Sequence, residues 1–223
     1  YGLCSFLDDN VGQVLAALET SGHASNTRII YTSDHGDMIG NHGIWGKSYM
    51  YEDSVGIPLS FSGPGIEPAS NSTPVSLTDL AATIEQAVGV EVDDAGGAWQ
   101  SRPLQGFIEQ PEPGRPILSE YHDGGSPSGF YMLREGPWKY VYFAEDHPAL
   151  LFNIDADPGE SLNLADDAAH IDTVRALYRQ LLQILDPEEI NRQAFADQAQ
   201  KIAELGGLDA ICNMPSFNHT PLE

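Results

Sequence analysis

The sequence predicts an α/β layer followed by a small α+β subdomain. Near the start, a helical stripe of apolar residues runs almost directly into a short β-branched segment, and a second strand-then-helix pair follows. In the second half, several strand signals bounded by turn formers precede another helical stripe. With 223 residues, 41% of them apolar and 9% aromatic, the chain can build a sizeable core, and length alone allows one or two domains.

Leu7, Val11, Val14, Leu15 and Leu18 recur at helical spacing, and Gly22 stands where a helix would stop, so an amphipathic helix laid on a core is expected. After turn-rich Ser21 to Asn26, Thr27 to Thr32 reads as a buried strand. Ile57 to Phe61 reads as a second strand, ended by Ser62-Gly63-Pro64-Gly65. Leu77, Leu80, Ala81, Ile84 and Val88 make the next helical stripe, with Ser76 placed to cap it. Asp93 to Gly114, rich in Gly, Pro and acid, reads as a surface excursion.

Beyond it the texture changes. Pro116 to Tyr121 is strand-like, Phe130 to Leu133 and Trp138 to Phe143 form a hairpin about Arg134-Glu135-Gly136-Pro137, and Leu150 to Ile154 adds a strand. Val174, Leu177, Leu181, Leu182 and Leu185 form a helical stripe suited to cover one face of that antiparallel sheet. Asp186 is placed as N-cap, Pro187 as first helical residue and Glu189 to close a capping box. The helix they start, to about Leu205, is mostly polar and is expected to project or bridge. The tail after Gly206-Gly207, with Phe217 to Pro221, is expected to dock on a neighbouring surface or a second copy of the chain. The divisions that follow are 1–115 (α/β layer), 116–186 (α+β subdomain) and 187–223 (polar helix and docking tail).

Ten Lys+Arg against 33 Asp+Glu give a formal charge of −23. That balance removes nucleic acid and anionic membranes as default partners, because binding them relies on Lys and Arg neutralising phosphates. No run approaches the ~18 apolar residues of a membrane span. The two cysteines, Cys4 and Cys212, fit neither a disulfide scaffold nor a Cys-rich zinc site, which leaves the compartment open. The first residue is Tyr1 and a helical pattern begins almost at once, so the chain is expected to start inside a fold.

The densest group of metal-competent residues runs from Thr32 to Lys47, leaving the carboxyl end of the strongest strand signal, where α/β sheets place their ligands. Asp34 and His35 can share one divalent cation if the chain turns out of the strand at Ser33, and Gly36 makes that turn cheap. Lys47, a cation on a flexible stem, can meet an anionic substrate brought back toward the metal. The competing reading has Asp34, His35 and Asp37 capping loops and bonding backbone. His42 reads as support for the metal-binding residues, His122 as a substrate contact on a strand exit, and Trp45 as core. Asn153-x-Asp155-x-Asp157 has the opening spacing of a calcium loop, but Pro158 and Leu164 replace the required Gly and Glu, which makes it a structural turn.

Thr32-Ser33-Asp34-His35-Gly36, Gly40-Asn41-His42-Gly43-Ile44-Trp45-Gly46-Lys47, Tyr51-Glu52-Asp53-Ser54 and Ile57-Pro58-Leu59 together resemble the second metal and sulfate-binding segment of the type I sulfatases, in the alkaline phosphatase superfamily. The resemblance continues through Gly63-Pro64-Gly65, Leu77 to Leu80, Ser119 to His122, Trp138-Lys139-Tyr140 and Leu151 to Glu160. The Asp-His pair, its spacing to Lys47 and the Asp186 to Gln198 helix look most like the subgroup of choline sulfatases and phosphonate monoester hydrolases. The resemblance implies a partial alkaline-phosphatase-like mixed sheet with helices, followed by the small α+β subdomain. It implies that Asp34 and His35 ligate one divalent ion, Ca²⁺ before Mg²⁺ or Mn²⁺, and that Lys47 binds oxygens of a small sulfate or phosphate ester.

The family's nucleophile, a Cys oxidised to formylglycine within Cys-x-Pro-Ser-Arg, has no match here. Cys4 is followed by Ser5-Phe6-Leu7, and Cys212 by Asn213-Met214-Pro215-Ser216-Phe217. The implied protein is therefore the C-terminal part of a sulfuric ester hydrolase with half a metal site, inactive alone. The alternatives are a phosphonate monoester or phosphodiester hydrolase of the same superfamily, and a non-catalytic module that binds an anion or a partner. If part of the sheet is missing, the apolar faces of the Leu7 to Leu18 helix and the Thr27 to Thr32 strand lack a partner, and the chain is expected to be unstable alone or to associate.

Overall fold

A computed structural model describes residues 1–90, 101–122 and 125–213. The described residues divide into two compact units, one of residues 1–90 with 101–112, the other of residues 113–122 with 125–213.

In the first unit, α1 (Gly2–Ser21) ends as its sequence requires: Gly22 takes φ 76°, and its N–H donates to the Glu19 carbonyl. The expected core beneath this helix is not found among the described residues. α1 buries no side chain, and Phe6, Leu7 and Val14 are exposed, so its apolar stripe is present but uncovered. β1 (Ile29–Thr32) pairs antiparallel with β2 (Leu59–Ser62), Ile29 opposite Ser62 and Thr32 opposite Leu59. Both strands are at most half-buried, where the sequence predicts a buried strand at Thr27 to Thr32. Between them lies the short helix α2 (Glu52–Val55).

At the start of α3 (Thr78–Val88), Ser76 Oγ accepts from the Thr78 N–H at 3.5 Å, and a shorter bond runs the other way. Asp79, fully buried in the first turn, accepts from the Ser76 backbone N–H at 2.8 Å and from the Arg102 N–H at 2.8 Å. Ser76 thus offers its amide to a side chain downstream. The predicted surface excursion contains a helix, α4 (Leu104–Glu109), which buries Leu104 and Phe107. The Leu104 N–H donates to Thr83 Oγ1 at 3.0 Å, while Thr83 donates to the Asp79 carbonyl, so two polar side chains of α3 fix the start of α4. Residues 93–100 of that excursion, Trp99 among them, lie outside the described residues.

The second unit is a four-stranded antiparallel sheet in the order β3 (Ile117–Tyr121), β4 (Phe130–Glu135), β5 (Trp138–Phe143) and β6 (His147–Asn153). Glu135 opposite Trp138 leaves Gly136-Pro137 as a two-residue turn, with Gly136 at φ 52°. Tyr131, Leu133, Tyr140 and Leu151 alternate onto one face and meet Leu177 and Leu181 of α5 (Ile171–Ile184). Leu182, expected in that stripe, points to solvent. The opposite face buries Met132, Val141 and Phe152, and with them Lys139, whose ammonium meets Glu160 at 2.7 Å.

α6 (Pro187–Glu204) begins as its capping sequence predicts. Asp186 Oδ1 accepts from the N–H groups of Glu188 and Glu189, both at 3.1 Å, and Pro187 occupies the first turn. Glu189 does not complete the box; its carboxylate takes Gln193 at 2.8 Å and pairs with Arg192. Polar contacts fasten this helix to the sheet. Tyr142 donates to Glu188 at 2.6 Å, Asn191 accepts from the Gly129 N–H at 2.7 Å, and Gln198 donates to the His122 carbonyl at 2.6 Å. α7 (Leu208–Cys212) follows; the tail from Met214, including Phe217 to Pro221, lies outside the described residues. No described helix is long and apolar enough to cross a membrane.

Candidate active site

At the end of β1 the chain turns sharply. The Ser33 hydroxyl donates to the His35 carbonyl at 2.8 Å, the Gly36 N–H donates to the Ser54 carbonyl at 2.8 Å, and the strand breaks as the Asp-His pair requires. Gly36 is there for close approach: a Cβ would overlap the Asp53 carbonyl oxygen. Asp34 and His35, on opposite sides of a regular strand, are thereby brought together, with Asp34 Oδ2 3.5 Å from His35 Nε2. The His35 N–H donates to Asp34 Oδ1 at 3.0 Å and holds that carboxyl below the usual carboxylate range; the adjacent imidazole acts in the same direction. Asp34 is exposed and ionised at neutral pH.

His35 Nδ1 lies 2.8 Å from the Gly36 carbonyl and Nε2 lies 2.7 Å from Lys47 Nζ. A carbonyl only accepts and an ammonium only donates, so these partners assign the proton to Nδ1 and leave Nε2 as the acceptor. In that tautomer the Nε2 lone pair is taken up by Lys47, and a cation bound at Nε2 would replace that hydrogen bond. One carboxylate and one imidazole nitrogen 3.5 Å apart fit a single divalent ion as two ligands of a larger set. The described residues contain no group of three or more His, Cys, Asp or Glu that could hold one by themselves.

The loop back to Lys47 is tightly wound. The Met38 N–H donates to the Gly46 carbonyl at 2.7 Å, and Asp37 Oδ1 accepts from Ile39 and Gly46, which makes Asp37 a loop cap as the competing reading had it. His42 takes φ 53° and stacks on Tyr51 with ring centroids 4.0 Å apart, so its ring supports the loop. Trp45, expected in the core, is 75% exposed; the loop is anchored by Met38 instead, which is fully buried. His122 belongs to the second unit. Its Nε2 faces Glu120 at 3.4 Å and its ring stands edge-on to Tyr131 at 5.3 Å. At Asn153, Oδ1 accepts from the Ala156 N–H at 3.1 Å, and Asp157 accepts from Ser161 and Leu162, a structural turn as expected. Asn41 and Asp53 were not singled out by composition or spacing; the only sequence signal for Asp53 is its place in Tyr51-Glu52-Asp53-Ser54.

A strand ending in a metal-competent pair, followed by a second unit with its own antiparallel sheet, defines an alkaline-phosphatase-like α/β chain. It belongs to the sulfatase family: the family model described as Sulfatase matches residues 1–90. The chain is 37% identical over 163 residues to the choline-sulfatase of Rhizobium meliloti (strain 1021), covering 73% of this chain and 32% of that protein. It is 31% identical to arylsulfatase K of Danio rerio, covering 92% of this chain and 40% of the relative. Its fold superposes on the phosphonate monoester hydrolase of Silicibacter pomeroyi with TM-score 0.66 and 31% identity, over 79% of this chain and 38% of the other. The chain thus spans about a third to two-fifths of the length of the proteins it matches.

Proposed function

We propose that this chain supplies the cation-holding and oxyanion-binding side of a metal-dependent sulfuric ester hydrolase. The observation that carries this reading is the convergence of Asp34, His35 and Lys47, with Lys47 Nζ 2.7 Å from His35 Nε2, in a chain related to a choline-sulfatase and an arylsulfatase. Asp34 and His35 would hold one divalent ion, Ca²⁺ before Mg²⁺ or Mn²⁺. Bound there, such an ion would neutralise charge on the transferring group and lower the pKa of a coordinated nucleophile. Lys47 binds the anionic oxygens and keeps them neutralised as charge builds in the transition state. The Gly36 carbonyl orients the imidazole and holds the proton on Nδ1. His122 is proposed as a substrate contact on narrower grounds, its position just after β3. The nucleophile, a formylglycine, comes from a segment outside these residues.

In a protein of net charge −23, an anionic ester is attracted only if the site concentrates positive charge against the global field, and Lys47 with the bound cation does so. The test is hydrolysis of an aryl sulfate by the 223-residue chain, and by the same chain joined to a formylglycine-bearing sulfatase N-terminal segment. Turnover is expected from the second alone. Turnover by the chain alone, abolished by Asp34→Ala, would overturn the need for an outside nucleophile. The likeness to a phosphonate monoester hydrolase supports a second reading, cleavage of phosphonate or phosphodiester bonds at the same site. Comparing kcat/KM on matched aryl sulfate and phosphonate esters separates the two.

A further inference from the structure

We infer that Asp53 is a positioning residue for the Asp34, His35 and Lys47 cluster, which it serves by clamping the loop that carries Lys47 back to His35. The inference rests on the role proposed above for that cluster. The loop holds left-handed backbone at non-glycine positions, Ile39 at φ 46° and His42 at φ 53°, with Ser48 at 78° just beyond Lys47, and such conformations persist only where surrounding structure over-determines them. Its internal bonds, Met38 to Gly46 and Gly46 to Asp37, close the loop on itself without fixing it to the rest of the unit.

Beside the buried Met38, one short segment, Tyr51 to Ser54, fixes the loop and touches it at three places. The Ser54 carbonyl, on a buried residue, accepts from Gly36 at 2.8 Å; Asp53 Oδ2 accepts from Asn41 Nδ2 at 2.9 Å; Tyr51 stacks on His42. Asp53 acts twice. Its carbonyl packs against Gly36 so closely that no Cβ fits, and its carboxylate holds the loop's far turn through Asn41. The first contact sets the imidazole of His35; the second sets the path by which Lys47 returns to it.

The test uses the 223-residue chain with Asp53→Ala, Asp53→Asn, Asn41→Ala and the double alanine variant. Mn²⁺ affinity is read from paramagnetic resonance, the His35 ring from its ¹⁵N shifts, and global integrity from thermal melting. Asp53→Ala removes the carboxylate and keeps the carbonyl, so Lys47 is expected to draw away from His35: the Nε2 resonance shifts, while Mn²⁺ affinity is kept or raised and the melting temperature is nearly kept. Asp53→Asn, which can still accept from Asn41, is expected within about twofold of the parent, while Asn41→Ala reproduces Asp53→Ala and the double variant is no worse than either. Unchanged Mn²⁺ affinity together with an unchanged His35 resonance in Asp53→Ala overturns the inference. So does equal loss in both Asp53 variants accompanied by a lowered melting temperature, which marks a merely structural role. If the parent chain, which supplies two ligands of a larger set, binds no Mn²⁺, the His35 resonance with Gly36 amide exchange decides the clamp.

Discussion

Lys47 Nζ lies 2.7 Å from His35 Nε2, so the cation proposed for the substrate and the nitrogen proposed for the metal meet at one point. Replacing Lys47 with Met removes the ammonium and leaves the His35 lone pair unshared. Binding of Mn²⁺ is expected to stay the same or tighten. In the assembled enzyme, kcat/KM for an aryl sulfate is expected to fall about 10²–10³-fold, the usual loss for one preorganised donor to a developing oxyanion. Titration calorimetry and steady-state kinetics check the two halves; a variant that keeps its kcat/KM removes Lys47 from the site.

Gly36→Ala tests the close approach directly. Because a Cβ would overlap the Asp53 carbonyl oxygen, the backbone must move and the Gly36 to Ser54 hydrogen bond must stretch. A cost of roughly 1–3 kcal/mol is expected, as for other overpacked sites. Urea melts read it. A variant as stable as the parent would show that the two segments part at no cost.

Lys139 and Glu160 form a pair at 2.7 Å with side chains 0% and 2% exposed. Lys139→Met removes the ammonium that this buried carboxylate meets, for which about 3–5 kcal/mol of destabilisation is expected. Changing both, Lys139→Met with Glu160→Leu, removes the buried charge as well and is expected to recover most of that loss. Chemical denaturation followed at Trp138, beside Lys139 on β5, distinguishes the outcomes, and a double variant as weak as the single one argues against the electrostatic origin.

Three tyrosines of the second unit resist ionisation. Burial first, then the nearby carboxylates, raises the Tyr131 and Tyr142 phenols above their usual value; burial does the same for Tyr140. Tyr131 donates to the Pro187 carbonyl at 2.7 Å and Tyr142 to Glu188 at 2.6 Å, both as neutral phenols. A group whose pKa is higher folded than unfolded contributes its full stability below the unfolded value, about 10, and loses it as pH rises beyond. The unit is therefore expected to lose stability above about pH 10, with phenolate absorbance from these residues appearing together with unfolding. Smooth titration of all nine tyrosines while the circular dichroism remains native would contradict this.

Much of the architecture was legible because it rests on local chemistry. Gly22 stops α1, Gly136-Pro137 makes the hairpin, and Asp186-Pro187 starts α6, each by a rule acting within a few residues. The failures share a long-range cause. Trp45 has the composition of a core residue, yet its place depends on a loop held by Met38 and by a segment beyond Lys47. α4 was hidden because what fixes it is Thr83, some twenty residues upstream. The Asp34, His35 and Lys47 convergence could be anticipated from spacing and family resemblance, whereas the Asp53 contact with Asn41 joins side chains twelve residues apart that no local rule pairs.

α6 is joined to its sheet chiefly through Glu188, Asn191 and Gln198, with Pro187 and Ile190 as its main apolar contacts. Detaching such a helix trades protein hydrogen bonds for solvent ones and uncovers little hydrocarbon. Its opening should therefore have a small denaturant slope and a small heat-capacity change, since both scale with exposed surface. Amide exchange along α6 is expected to be nearly indifferent to low urea, while exchange in β4 and β5 accelerates with it. α6 would then behave as a latch that solvent can lift without melting the sheet beneath.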